Sequence, residues 1–190
     1  SMKDIWRRKK KNNLSQLERK FVKQRKQLEV TSSLIAEEID GRLRKLEDIE
    51  AIQKLKAAYC DACDNDHDGD AVAALFVKNG TWQQVGGTKN ADDRKRIGKS
   101  EISDFMFGLR TAGFIKQSSH MVTNPVIDVD GNQAKGFWKF VMLYTHVNGT
   151  YYRIIGRYED HYVKQGDQWF FQSLTAHIEE NGPYNERSDA

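Results

Sequence analysis

Residues 133–163 read QAKGFWKFVMLYTHVNGTYYRIIGRYEDHYV, two long runs rich in aromatic and β-branched residues on either side of Asn148-Gly149. Asn-Gly between such runs is a strong hairpin signal, because both residues accept the left-handed backbone of a tight turn. Gln133–Val147 and Thr150–Val163 are therefore expected to be antiparallel strands. Ahead of them, His120–Asp130 reads as a strand bent at Asn124-Pro125, with a turn at Asp130-Gly131. Behind them, Gln165-Gly166-Asp167 turns the chain into a last strand, Gln168–Ile178. The C-terminal half is thus a meander.

A two-residue turn at Asn148-Gly149 would pair Val147 with Thr150 and fix the register. Trp138, Phe140, Met142 and Tyr144 then share a face with Glu159, Arg157, Ile155 and Arg153. The next turn adds Gln172, Leu174, Ala176 and Ile178. This mostly apolar face is the expected pocket wall, with Trp82 and Phe105 contributed from upstream. Arg157 and Glu159 are expected at its rim, paired across strands or meeting a ligand.

Upstream the period changes from two to 3.6. Leu14, Leu17, Phe21 and Leu28 form a thin apolar stripe on a charged helix. A second pattern runs from Leu34 and Ile35 to Tyr59 and Ala62. One long helix or two broken near 31–33 fit equally, and no proline before Pro125 forces a break. The acidic turn Asp66–Asp70 ends the pattern. A short helix over about 70–77, a strand Thr81–Val85, a polar loop Gly86–Lys95 and a Ser100-capped helix to Leu109 follow. Helices first and a meander second define an α+β protein with helices on one face of a sheet.

Charge is unevenly spread. Residues 1–30 hold 11 Lys/Arg and 3 Asp/Glu, a net of +8, and the rest of the chain carries −5. The folded part is therefore mildly acidic, so no nucleic-acid partner is expected. No run approaches the ~18 apolar residues of a transmembrane helix. The basic N-terminus leads into no apolar segment, so no secretory signal is expected. Cys60 and Cys63 are the two cysteines; they suit a reducing compartment, and a cytoplasmic protein is expected. Their C-x-x-C lies near a helix end, where the dipole disfavours a thiolate, so two small core residues are the natural reading. Asp64–Gly69 opens like a calcium loop, but Leu75 stands where the bidentate glutamate belongs. No metal and no cofactor are expected.

One spacing set carries chemistry. Ile49–Leu55 leads to Tyr59, then to Asp64, and His120 starts a distant strand. With Asp48–Ile52, Leu75-Phe76, Gly98 with Ile102, Thr123-Asn124, Asp130-Gly131, Gly156 with Tyr158-Glu159-Asp160, and Asp167-Gln168-Trp169, this order resembles the SnoaL-like (nuclear transport factor 2-like) superfamily over about residues 47–180. Within it the look is nearest to the bile-acid 7α-dehydratase branch, and more distant from scytalone dehydratase and lindane dehydrochlorinase. The resemblance implies a strongly bent antiparallel sheet, a cone, wrapped around three helices, here with an extra N-terminal helix. The expected organisation is a disordered basic tail (1–13), a helical extension (14–46), the SnoaL-like domain (47–180) and a C-terminal tail (181–190).

The resemblance also places Asp64 and His120 on a catalytic dyad and Tyr59 on an active-site tyrosine. Met142 falls where the dehydratase has a pocket aspartate, Ile178 on or near its arginine, and Glu159 on the dechlorinating enzyme's arginine, so substrate charge handling does not carry over. The dyad stands on physical grounds as well: histidine exchanges protons near neutrality, and a carboxylate on its far nitrogen orients the ring. On an ideal helix Tyr59 and Asp64 lie about 140° apart. The expectation is a cofactor-independent lyase or dehydratase acting on a small, largely apolar ring compound of steroid, polyketide or aromatic type. Isomerase or hydrolase chemistry, or non-catalytic binding or assembly, is the alternative. The unplaced N-terminal stripe is expected to bury against its own domain, a neighbouring subunit or a foreign partner. Its charge, opposite to that of the rest of the chain, favours the first two, and a homo-oligomer is expected, with resemblance to the dehydratases favouring a trimer over a dimer.

Overall fold

A computed structural model describes residues 1–87 and 93–184, with Asn12 described by its backbone alone. The chain forms two compact units, Ser1–Leu46 and Glu47–Ala190. A single helix, α1, runs from Met2 to Asp64. Nothing breaks it near residues 31–33, and the segment expected as a disordered tail, residues 2–13, is its first part. Residues 88–92 of the expected polar loop and 185–190 of the expected C-terminal tail lie outside the described residues.

In the second unit, α1 is followed by α2 (Gly69–Ala74), β1 (Phe76–Gly86), β2 (Arg96–Ile97), α3 (Gly98–Ala112), β3 (Ile115–Asp130), β4 (Gln133–His146), β5 (Tyr151–Gln165) and β6 (Gln168–Pro183). Asp68 caps α2 by accepting the Ala71 N–H at 3.0 Å. Helix α3 starts at Gly98, two residues before the expected cap Ser100. Its entry is closed instead by the Glu101 carboxylate, which accepts the Ile97 N–H at 2.9 Å. Gly113, at φ +64°, ends it in the left-handed conformation. Strand β6 runs through residues 181–183, which were expected in the tail.

The six strands form one sheet in the order β2-β1-β6-β5-β4-β3. All neighbours are antiparallel except β1 and β6, which are parallel. The sheet is therefore mixed and not wholly antiparallel, although the meander itself is. Register shifts between Thr123 and Val126 in β3 and beside Gly156 in β5 bend it. Asn124 takes φ +51° at the first of these, where Asn124-Pro125 marks the bend. At the second, a Cβ on Gly156 would lie 2.2 Å from the His177 carbonyl oxygen, so the close approach admits glycine only.

The hairpin register departs from the expected one. Paired residues of β4 and β5 sum to 296, not 297. The loop has three residues: the Gly149 N–H donates to the His146 carbonyl, the His146 N–H donates to the Thr150 carbonyl, and Gly149 sits at φ +89°. One loop residue more moves every β5 side chain to the opposite face. Trp138, Phe140, Met142 and Tyr144 thus share the inner face with Tyr158, Gly156, Ile154 and Tyr152. In β6, Gln172 is left unpaired and exposed at a bulge, which restores Leu174, Ala176 and Ile178 to the inner face.

The core lies between that face and the helices, around Ile52, Val72, Phe76, Ile102, Phe171 and Leu174, all fully buried. An ion pair fastens α1 to the sheet inside it. The Lys56 ammonium donates to Asp160 Oδ2 at 2.9 Å and lies 3.4 Å from the Tyr158 ring centre. Tyr162 donates to the same oxygen at 2.7 Å, and Trp138 Nε1 donates to the Tyr162 hydroxyl. Burial pushes the lysine pKa down and the aspartate pKa up, against the attraction between them. Nearer the surface, the Asp48 carboxylate accepts from Lys164 and Trp169, each at 2.8 Å.

Candidate active site

Asp64 is the last residue of α1, and three donors from β3 converge on its carboxylate. His120 Nδ1 lies 2.6 Å from Oδ1, the His120 main-chain N–H donates to Oδ2 at 2.7 Å, and the Ser118 hydroxyl donates to Oδ1 at 2.8 Å. The side chains are 24% and 8% exposed for Asp64 and His120. Burial alone would raise the Asp64 pKa, but the hydrogen bonds from the His120 ring and backbone and from Ser118 outweigh it and hold the carboxyl below its ordinary value. An ionised carboxylate on Nδ1 selects the imidazole tautomer and leaves the other ring nitrogen for a ligand.

His120 lines a cavity of about 280 Å³ inside the second unit. Of the expected wall, Trp82, Phe105, Phe140, Met142 and Tyr144 line it too, as does Tyr59. The Tyr59 hydroxyl accepts a hydrogen bond from Trp82 Nε1 at 2.9 Å, and burial raises its pKa well above the ordinary value, so it keeps its proton. Asp64 itself lies behind His120 and does not line the cavity. The angle between Tyr59 and Asp64 is thereby resolved: the tyrosine faces the cavity directly, and the aspartate reaches it through a residue of β3.

Three expected wall residues lie elsewhere. Trp138 is buried on the inner face but belongs to the Tyr162–Asp160–Lys56 chain and not to the cavity lining. Arg157 and Glu159 are on the outer face, each 41% exposed. They pair weakly with each other, and Arg157 reaches Glu179 at 3.0 Å. The one-residue change of register moved them.

His67 is a cavity residue that sequence reasoning did not single out. Asp66 and His67 both take left-handed backbone conformations, φ +53° and +52°, where α1 ends. The reversal, closed by the Asp68 N–H on the Ala62 carbonyl, buries His67 to 6% exposure. No described residue hydrogen-bonds its ring. Burial first, and then the charge of His120, lower its pKa, so it is held neutral. Gln84 and Asn181 supply the two amide side chains of the lining. Two consecutive non-glycine left-handed residues were the available signal, and side-chain chemistry does not announce them.

A mixed, bent sheet closed over helices, with a histidine backed by an aspartate at an internal cavity, defines the nuclear transport factor 2-like, cystatin-like class of fold. Residues 44–175 match the model of the SnoaL-like domain, and the chain belongs to that family. Three solved structures give the scale of the likeness. A scytalone dehydratase-like protein from Novosphingobium aromaticivorans is 22% identical, with a TM-score of 0.63 over 75% of this chain and 91% of its own. A hexachlorocyclohexane dehydrochlorinase of type 2 is 17% identical, with a TM-score of 0.66 over 78% and 96%. An NTF2-like protein with a cystatin-like fold, also from N. aromaticivorans, is 22% identical, with a TM-score of 0.64 over 74% and 88%. At these identities the likeness is one of fold. No curated protein matches the chain. Among the described residues, no helix is long and apolar enough to cross a membrane.

Proposed function

We propose that the chain is a cofactor-independent lyase of dehydratase type, acting on a small, largely apolar ring compound through Asp64 and His120. The observation that carries the reading is the double grip of the Asp64 carboxylate on His120, at Nδ1 and at the main-chain N–H, beside an apolar cavity. In the neutral state His120 takes a proton from a carbon next to an activating group of the substrate. The electron pair left behind forms the new double bond, and the leaving hydroxyl departs with its own bonding pair. The imidazolium returns the proton to that oxygen, releasing water. Asp64 stabilises the charged ring between the two transfers. Tyr59, protonated and fixed by Trp82, donates a hydrogen bond to the activating oxygen. The fold family and the dehydratase and dehydrochlorinase neighbours support a small-molecule enzyme of this kind. Two buried free thiols suit a cytoplasmic setting.

The test is a panel of hydroxylated and halogenated ring compounds, with loss of water or halide followed by mass. His120→Ala and Asp64→Asn should each lower turnover by roughly 10²–10⁴. Equal turnover in His120→Ala removes the dyad from the mechanism. Compounds that bind the unmodified chain and are never turned over make it a ligand-binding protein instead.

A further inference from the structure

In the first unit the apolar residues of α1 are uncovered. Leu14, Leu17, Phe21, Leu28, Ile35, Ile39, Leu43 and Leu46 are each more than half exposed. On a helix turning 100° per residue they fall within a sector of about 80°. Arg25 and Ser32 occupy the two remaining positions of the stripe. Read through them, the steps are 3, 4, 4, 3, 4, 3, 4, 4 and 3 residues, the same from either end. The stripe is its own mirror image about residue 30 and is about 48 Å long at 1.5 Å per residue.

We infer that this stripe pairs with the same stripe of a second copy of the chain, the two helices antiparallel. Paired residue numbers then sum to 60. Leu14 of one copy meets Leu46 of the other, Leu17 meets Leu43, and Phe21 meets Ile39, so each end of the pair is three apolar layers deep. In the middle, Leu28 meets Ser32, and Arg25 lays its methylene stem along Ile35 with its charge in water. Nine steps span 32 residues, about 3.56 per step, between the 3.5 of a left-handed supercoil and the 3.6 of a straight helix, so the pair winds only slightly.

Charge selects the same arrangement. Arg7, Arg8, Lys9, Lys10 and Lys11 are five consecutive cations. A parallel pair would lay the five cations of one copy against the five of the other, and opposed helix dipoles also favour the antiparallel form. A partner of other sequence would not require a mirror-symmetric stripe.

Light scattering on the full chain tests the pairing. Leu17→Asp with Phe21→Asp should halve the mass of a dimer held by the stripe alone, abolish the cysteine joining described below, and leave the melting temperature of the second unit in place. Equal masses together with undiminished joining in the aspartate variant overturn the proposal, whether the stripe then lies on its own chain or awaits a foreign partner. Orientation is read separately, without a disruptive change. A Leu14→Cys chain mixed with a Leu46→Cys chain should be joined by a short bis-maleimide, and the Leu14→Cys chain alone should not. Joining of Leu14→Cys to itself, or no joining in the mixture, overturns the antiparallel register.

Discussion

At the scale of single residues, His67 carries a pH dependence that can be measured without a substrate. The unfolded chain takes up a proton at this histidine near pH 6.5, whereas burial keeps the folded histidine neutral to lower pH. Between those values the unfolded state holds more protons, so stability rises with pH. His67→Gln should flatten the rise in melting temperature between about pH 5 and pH 7; an unchanged slope would show that His67 is not the group responsible. Asp64 acts in a lower window, because its depressed pKa adds stability above the ordinary carboxylate range that is lost as pH falls through the folded value. Site residues differed in how far the sequence displayed them. Tyr59, Asp64 and His120 were proposed from the resemblance to the family, with residue type in support of the Asp64–His120 pair; spacing alone did not bring Tyr59 and Asp64 to one pocket. Arg157 and Glu159 were misplaced because their face depends on one loop residue. His67 was invisible because its position rests on a backbone conformation its side chain does not demand.

At the scale of elements, the Lys56–Asp160 pair is the joint between α1 and the sheet. Asp160→Asn leaves the ammonium without a counter-charge and should cost about 3–5 kcal/mol in chemical denaturation. Replacing both groups, as Lys56→Met with Asp160→Leu, should cost much less, since no charge is then stranded. If the double change is as costly as the single one, the pair is no more than a packing contact. Elements whose signals are local were legible: the helical pattern from Leu14 to Ala62, the hairpins and the bend at Asn124-Pro125. The parallel pairing of β1 with β6 was not, because it joins strands some ninety residues apart with no turn between them to specify it. The bulge at Gln172 was equally hidden, and it matters most, since it returns β6 to the face that the changed hairpin register would have denied it.

At the scale of the whole molecule, two units of different character share one helix: a basic rod with an uncovered stripe, and an acidic body with a closed interior. The rod's partner follows from symmetry in its spacing, whereas the body's substrate follows from its cavity, so the two proposals stand or fall separately. The helix-then-meander order and the start of the family resemblance near residue 47 pointed to this division, while the break in charge falls earlier, near residue 30. The continuity of α1 was left open because Thr31-Ser32-Ser33 offers a cap that α1 does not use.

The two cysteines give the body an internal clock. Burial pushes the Cys60 thiol up to about 11 and the Cys63 thiol up to about 12. Cys63 lines the cavity and can be reached through it, but Cys60 is buried outside the lining and reacts with a maleimide or aromatic disulfide only after the body opens, so it is the Cys60 rate that keeps time. Its labelling rate at neutral pH therefore reports the opening equilibrium, free of any catalytic assay. Saturating ligand in the cavity that Cys63 lines should slow that rate by the factor with which it stabilises the closed state. Fast labelling of Cys60 in the native chain would mean that the interior breathes on the timescale of the reagent.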